Sequence, residues 1–424
     1  MKTVIDLDNG IVNRQIFFDP EVYRDELARI FGKCWLFLAH ESQLLNPGDF
    51  LTTYMGEVPV LVTRSKADVL GAYFNSCRHR GMRVCRADAG NANTFMCSYH
   101  GWVYRNDGRL QAVPRHTDGY PETMKLSEWD LVPVGKIAVY KGLIFATWDP
   151  NAPSLSDYLG DMAHYLDIIL DRREGGTEFV GGTQKWTIQC NWKFVSDNHV
   201  GDSYHTPVTH HSGMVAGFYS RPSERLSTPG YSLYAGNGHG LCLFRKPLRT
   251  DLPMMKAYVE EHQAEAEARL GQPRATVWPV NGAVFPNFGF VVAGAFRTFR
   301  VWHPKGPDKV EIWSWCIVDK AADPAFKDFI RSETLRGQSG PASTFEQDDG
   351  ENFKECHACT RAPLPQDPRF NYMLRLGAAR AETDFPGRMN DMPSETNQLG
   401  FYEHWAAIMG LDPSRQEGSA THAR

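Results

Sequence analysis

Two stretches of this chain carry residue types at spacings that could do chemistry. In the first, Cys77-Arg-His79-Arg-Gly-Met and Cys97-Ser-Tyr-His100-Gly-Trp each pair a cysteine with a histidine beside a glycine, with 17 residues between the pairs. Two cysteines and two histidines could hold zinc in a tetrahedral site. Here each half offers one of each, which better suits a Rieske [2Fe–2S] centre with two Cys on one iron and two His on the other. Histidine in place of thiolate raises the potential of such a cluster. Cys85 lies between the pairs with no histidine at matching spacing and reads as packing.

The second stretch, Asn198 to His211, reads Asn-His-Val-Gly-Asp-Ser-Tyr-His-Thr-Pro-Val-Thr-His-His. Asp202 stands three residues before His205, and His210 follows five later. On a helix Asp202 and His205 share a face, while Pro207 ends or kinks the turn and can swing His210 back. Two neutral imidazoles suit iron, zinc or copper. Histidines also cluster by chance in a chain with 15 of them.

A third acidic run, Thr344-Phe-Glu-Gln-Asp-Asp-Gly-Glu-Asn-Phe353, holds Glu346, Asp348 and Asp349. Alone it reads as a solvated helix start, because acids favour the N-terminal turn. Cys356-His-Ala-Cys359 has no second pair to complete a metal site and reads as core or interface packing.

Length and composition bound the rest. The 424 residues leave room for two or three domains. Hydrophobic content of 42% and charged content of 22% are ordinary for a globular protein. A net charge of -5 gives no sign of nucleic-acid or membrane binding. No run approaches the ~20 apolar residues of a membrane span, and the N-terminus lacks the apolar core of a signal peptide. Nine scattered cysteines fit a reducing cytoplasm rather than a disulfide scaffold.

The elements that must position these residues follow in order. Asp19 and Pro20 start a helix, Val22, Leu27, Ile30 and Phe31 give it an apolar stripe, and Gly32 stops it. From 36 to 150 short runs such as Val58–Thr63, Val69–Phe74, Thr94–Met96 and Leu143–Trp148 predict an antiparallel β domain. Asn106-Asp-Gly108 predicts a hairpin turn. Leu155–Leu170 reads as one helix, and Lys185–Lys193 as a strand feeding the histidine stretch. Strands are expected at Tyr231–Tyr234, Gly240–Arg245, Val284–Val292, Arg297–Trp302 and Val310–Val318, with helices at Leu252–Leu270 and Phe326–Arg336. Arg415–Arg424 is polar and expected to fray.

Taken together, the Cys/His loops, the D-x2-H-x4-H stretch and the distant acidic run resemble the large (α) subunit of aromatic-ring-hydroxylating dioxygenases, the naphthalene and biphenyl dioxygenase family. The resemblance covers nearly the whole chain. It implies an α+β fold: an N-terminal lead-in (1–35) packing with the catalytic domain, an antiparallel Rieske domain (36–150), and a catalytic domain (151–424) with a curved antiparallel sheet flanked by helices, of helix-grip type. It implies that Cys77 and Cys97 bind the inner iron and His79 and His100 the outer. His205, His210 and Asp349 would bind a mononuclear Fe(II), Asp202 would bridge His205 to a neighbouring subunit's cluster, and Asn198 would sit near the iron. Phe345 would line the substrate pocket.

The expected activity is that of a terminal oxygenase, using O2 and electrons from NADH through a ferredoxin and a reductase. The product would be the cis-dihydrodiol of a naphthalene- or biphenyl-type aromatic. Small β subunits would complete an α3β3 hexamer. No dinucleotide-binding G-x-G-x-x-G follows a strand in this chain, so the reductant comes from a partner. His199, Ser203 and Thr206 stand where naphthalene-type members are apolar. His199 is read as satisfied on the helix's other face; alternatively all three point to monohydroxylation or dioxygenation of a polar aromatic such as salicylate or another aromatic acid. A pure electron carrier would account for 36–150 alone.

Overall fold

The computed structural model describes residues 5–217, 230–245, 252–362, 368–378 and 384–411. Its backbone divides into two compact units, one formed by Phe31–Leu155 and the other by Met1–Ile30 together with Ser156–Arg424.

The Phe31–Leu155 unit is built from three antiparallel sheets. Val58–Arg64 pairs with Leu70–Phe74 and with Asp49–Met55, as the β-branched runs predict. Val103–Arg105 and Leu110–Ala112 form the hairpin expected around Asn106-Asp-Gly108, whose glycine sits at φ +82°. Phe95, Trp102, Tyr104 and Leu110 fill the core beneath the two cysteine loops.

The second unit rests on an eight-stranded antiparallel sheet, in the order Thr177–Ile188, Val310–Asp319, Phe296–Pro304, Phe288–Ala293, Trp278–Val284, Gly240–Phe244, Gly230–Tyr234 and Arg388–Asp391. The helix Thr396–Met409 packs against Gly230–Tyr234 and Gly240–Phe244. The α+β architecture is as expected, but several boundaries move. Leu155–Leu170 breaks into Leu155–Leu159 and Met162–Leu170, because Gly160 adopts φ +47°. Val284–Val292 is two strands, separated at the Phe285–Pro286 cis bond. The strand expected to reach Lys193 ends at Ile188; Asn191 then accepts the Lys193 amide and caps a helix over Trp192–His199.

The N-terminal helix Pro20–Arg29 is capped as its sequence predicts, with Asp19 accepting from the amides of Glu21 and Val22. Its buried face holds one charge that the apolar stripe does not announce. Glu26 is fully enclosed, 2.5 Å from Lys193 Nζ, and accepts from the indole N–H groups of Trp192 and Trp405 at 2.8 Å each. That set of bonds fixes the start of the chain to the helix that carries the site.

Candidate active site

Helix Trp192–His199 buries Trp192, Val195 and Ser196 and delivers Asn198 to its end. Val200 follows, then Gly201 at φ +122°, where a side chain would meet Asn397 at 2.4 Å and the Leu241 backbone at 2.9 Å. Only glycine fits this close approach, and the turn it permits aims Asp202 back at the chain that follows. Asp202 Oδ1 accepts the amides of Tyr204 (2.8 Å) and His205 (3.3 Å), and its Oδ2 lies 2.9 Å from His205 Nδ1. Asp202 and His205 are therefore joined through a turn rather than along a continuous helix. Pro207 also acts differently from expectation: it stands in the first turn of a new helix, Thr206–Thr209, where its missing N–H costs nothing.

His210 follows that turn, and the two imidazoles face each other at 80° with centroids 5.1 Å apart. Asp349, in the first turn of helix Glu346–Thr360, meets both. Its Oδ1 is 3.6 Å from His205 Nε2 and 3.5 Å from His210 Nε2. One ligand atom from each of His205, His210 and Asp349 lies within 4.8 Å of the others. Asp348 points elsewhere, to the Nδ1 side of His210 at 3.7 Å, where Ser212 Oγ donates to it. Because Asp202 Oδ2 accepts the hydrogen bond of His205 Nδ1–H, Nε2 presents its lone pair to this convergence point. Two imidazoles and one carboxylate converging from one side are the donor set that would hold a facial-triad iron, a centre that supplies O2 chemistry.

The electrostatics agree with that use. Burial pushes the Asp349 carboxyl up to about 7, with Glu346 and Asp202 adding to the rise and His205 and Arg300 opposing it. A divalent cation at the convergence point would reverse that balance. Burial also opposes ionisation of Asp202, but the attraction of His205 and the bonds from His205 and Tyr204 hold its carboxyl below the usual range.

A cavity of about 710 Å³ opens beside these groups, walled by Asp197, Asn198, Asp202, His205 and Asp349 among others. Asn198 Nδ2 lies 3.4 Å from His205 Nε2. On the other side of His210 stands Phe345, fully enclosed, its ring edge-on at 5.1 Å, in an apolar cluster with Cys242, Phe244, Val280, Ala293 and Phe296.

His199 does not line the cavity. It is buried, with Nδ1 donating to Val195 O at 3.0 Å and Nε2 facing Arg300 Nη1 at 3.3 Å, over the Trp302 ring. Burial first, and then Arg300, lower its pKa to about 3, so it is neutral and satisfied on the sheet side of its helix. Ser203 and Thr206 are half-buried in the turn around His205 and are likewise absent from the cavity's walls.

Two groupings escaped the sequence reading. Asp197 accepts from Tyr372 Oη (2.5 Å) and Tyr402 Oη (2.7 Å) in the cavity wall. Arg300, 2.5 Å from Glu346 Oε1, forms a buried ion pair one helical turn from Asp349. Both rest on partners more than forty positions apart, with no local pattern to flag them.

The other unit presents its ligand candidates on two matching loops. The Gly81 amide closes the first onto Cys77 O at 2.8 Å, and the Gly101 amide closes the second onto Cys97 O at 2.9 Å. Both glycines have positive φ, at +78° and +73°. The thiols of Cys77 and Cys97 are buried, while His79 and His100 are half-exposed with ring centroids 4.4 Å apart. His79 stacks on Trp102 at 5.2 Å, and its Nδ1 is enclosed without a hydrogen-bond partner. Two sulfurs inside, two imidazoles outside and an orphaned ring nitrogen fit a [2Fe–2S] cluster whose histidine-ligated iron is outermost. Cys85 lies apart, buried and turned toward Ala87 O.

Comparison with known proteins agrees with both halves. Residues 34–133 match the Rieske [2Fe-2S] domain and residues 156–411 the ring hydroxylating alpha subunit (catalytic domain). The chain is 38% identical to the biphenyl dioxygenase subunit alpha of Metapseudomonas furukawaii, over 98% of this chain and 94% of that one. It is 39% identical to the benzene 1,2-dioxygenase subunit alpha of Pseudomonas putida, over 96% and 93% of the two chains. The crystal structure of naphthalene 1,2-dioxygenase from Rhodococcus sp. bound to indole superimposes with a TM-score of 0.86 at 39% identity, covering 94% of each chain. With a [2Fe–2S] domain, a mononuclear-iron catalytic domain and O2 as co-substrate, this chain belongs to the α subunits of the Rieske non-haem iron ring-hydroxylating dioxygenases.

Proposed function

We propose that this chain is the terminal oxygenase component that dihydroxylates an apolar aromatic ring of the naphthalene or biphenyl type to a cis-dihydrodiol. The observation that carries the reading is the convergence of His205, His210 and Asp349, with Asp202 behind His205 and the apolar Phe345 cluster beside His210. In this reading His205, His210 and Asp349 hold Fe(II), while Cys77, Cys97, His79 and His100 hold the cluster. The iron supplies O2 chemistry and the cluster supplies electrons singly. Asp202 fixes the His205 tautomer and faces the incoming electron. Asn198 borders the iron, while Phe345, like His199 absent from the walls of the cavity, backs His210 with its apolar cluster.

Electrons originate in NADH and arrive through a ferredoxin and a reductase. Small β subunits complete an α3β3 assembly in the cytoplasm; no helix among the described residues is long and apolar enough to cross a membrane. We place the Rieske domain at 36–150, the catalytic domain at 151–424, and the lead-in at 1–35.

The alternative of a polar aromatic substrate drew on His199, Ser203 and Thr206. His199 has both ring nitrogens engaged away from the cavity, which removes the strongest of the three from that argument. Incubation with NADH, ferredoxin, reductase and a panel of naphthalene, biphenyl and salicylate tests the proposal. A cis-dihydrodiol from a hydrocarbon supports it; a phenol from salicylate alone overturns it.

A further inference from the structure

We propose a second binding site in the catalytic unit, a cationic pocket that takes one small monovalent anion of formate or halide size. Arg172, Arg173 and Arg297 meet around a cavity of about 30 Å³, with Tyr258, Trp278 and Asp319 among its walls. Asp319 is the one carboxylate among the cavity's described lining residues.

The charges there do not balance. Arg173 is matched by Glu265 at 3.1 Å. Arg297 Nη1 lies 3.4 Å from Asp319 Oδ2, which also accepts from Tyr258 Oη at 3.0 Å. Arg172 has no carboxylate of its own. Its Nη2 donates to Ala275 O at 3.1 Å, and its guanidinium lies over the Trp278 ring at 3.9 Å. Two further donors, Arg172 Nη1 and Arg297 Nε, are enclosed and without a hydrogen-bond partner among the described residues. Unpaired buried donors are costly, and a buried cation without a counter-charge more so. One bound anion would answer both deficits.

Size sets the class of ligand. A single water needs ~10–15 Å³ of such space, so the cavity has room for an ion of two or three heavy atoms, not for a phosphate ester or an aromatic acid. Nor is it part of the oxygenase site. Arg297 and Arg300 are three residues apart on a regular strand and project from opposite faces of the sheet. Arg300 is the one that reaches Glu346 and His199 beside the triad.

The test uses the assembled, iron-loaded protein in gluconate, exchanged at constant ionic strength for formate or bromide. Both small anions are expected to raise the unfolding midpoint saturably, by about 2–4 °C. Arg172→Gln is expected to lose that response while keeping wild-type turnover. Crystals soaked in bromide are expected to show anomalous density between Arg172 and Arg297, a readout independent of the variant's folding. Identical midpoints in gluconate, formate and bromide, an Arg172→Gln response equal to wild type, or water alone in the soaked pocket would each overturn the site.

Discussion

Asp202 holds His205 from two directions, its Oδ2 2.9 Å from the ring Nδ1 and its Oδ1 3.3 Å from the backbone amide. The same residue thereby sets where the imidazole sits and which nitrogen carries the proton. Replacing such a partner of a metal-binding histidine costs ~10–100-fold in affinity or activity. Asp202→Ala is expected to keep both iron centres yet lose turnover almost entirely, and Asp202→Asn, which retains the amide bonds, to lose less. Iron analysis with oxygen uptake checks this; uptake unchanged in the alanine variant refutes the role.

The two neighbouring aspartates separate cleanly by geometry, since only Asp349 faces both Nε2 atoms. Asp349→Ala should lower iron from roughly three per chain to two, with the visible spectrum of the cluster retained. Asp348→Ala should keep all three. The reverse result would reassign the third ligand.

His79 and His100 are expected to keep the cluster potential high, because neutral imidazoles replace thiolates on one iron. His79→Cys adds a negative ligand and should move the potential down, toward the ~-400 mV of all-cysteine plant-type clusters. Redox titration followed by electron paramagnetic resonance measures it, and an unmoved potential would argue that His79 is not a ligand.

Glu346 and Arg300 are nearly inaccessible to water and 2.5 Å apart. Removing one member of a buried pair strands the other, typically at ~3–5 kcal/mol. Glu346→Ala is expected to lower stability by that order and to loosen Asp349 one turn away, with iron lost more readily to a chelator. Chemical denaturation and chelator kinetics follow both effects; wild-type behaviour in each would mean the pair is dispensable.

Asp197 is held by burial at a pKa of about 7, against the opposing hydroxyls of Tyr372 and Tyr402. In the unfolded chain it titrates near 3.8. Between those values the folded state keeps a proton that the unfolded state releases, so stability falls as pH rises from about 4 to about 7. Asp197→Asn should flatten that part of the curve. Thermal unfolding of both proteins between pH 5 and 8 decides; parallel curves would dismiss the shift.

Local chemistry was the readable part of this sequence. Asp19-Pro20, Asn106-Asp-Gly108 and the two Cys/His loops each carry their instructions within a few residues, and the structure places them as those instructions imply. Where a local pattern met a tertiary demand it gave way. Lys193 continues a strand-like run but stands in the helix that Asn191 caps, its ammonium paired with the buried Glu26. The first part of the strand Thr177–Ile188, before Lys185, went unread because its Gly181-Gly182 step and mixed exposure hide the two-residue alternation. The Asp197 and Arg300 groupings join residues distant in sequence, and only the folded chain brings them together.

The chain enters the catalytic unit, leaves it at Ile30 and returns at Ser156. The cluster-bearing unit is thus a guest with two tethers, and a single protease cut within it would free neither half of its host. The helix anchored by Glu26 must find its partners across that whole interposed stretch, although the entropic cost of closing a long loop grows only logarithmically with its length. Transplanting residues 31–155 from a relative should leave the Glu26–Lys193–Trp405 clasp, and with it the meeting of His205, His210 and Asp349, in place.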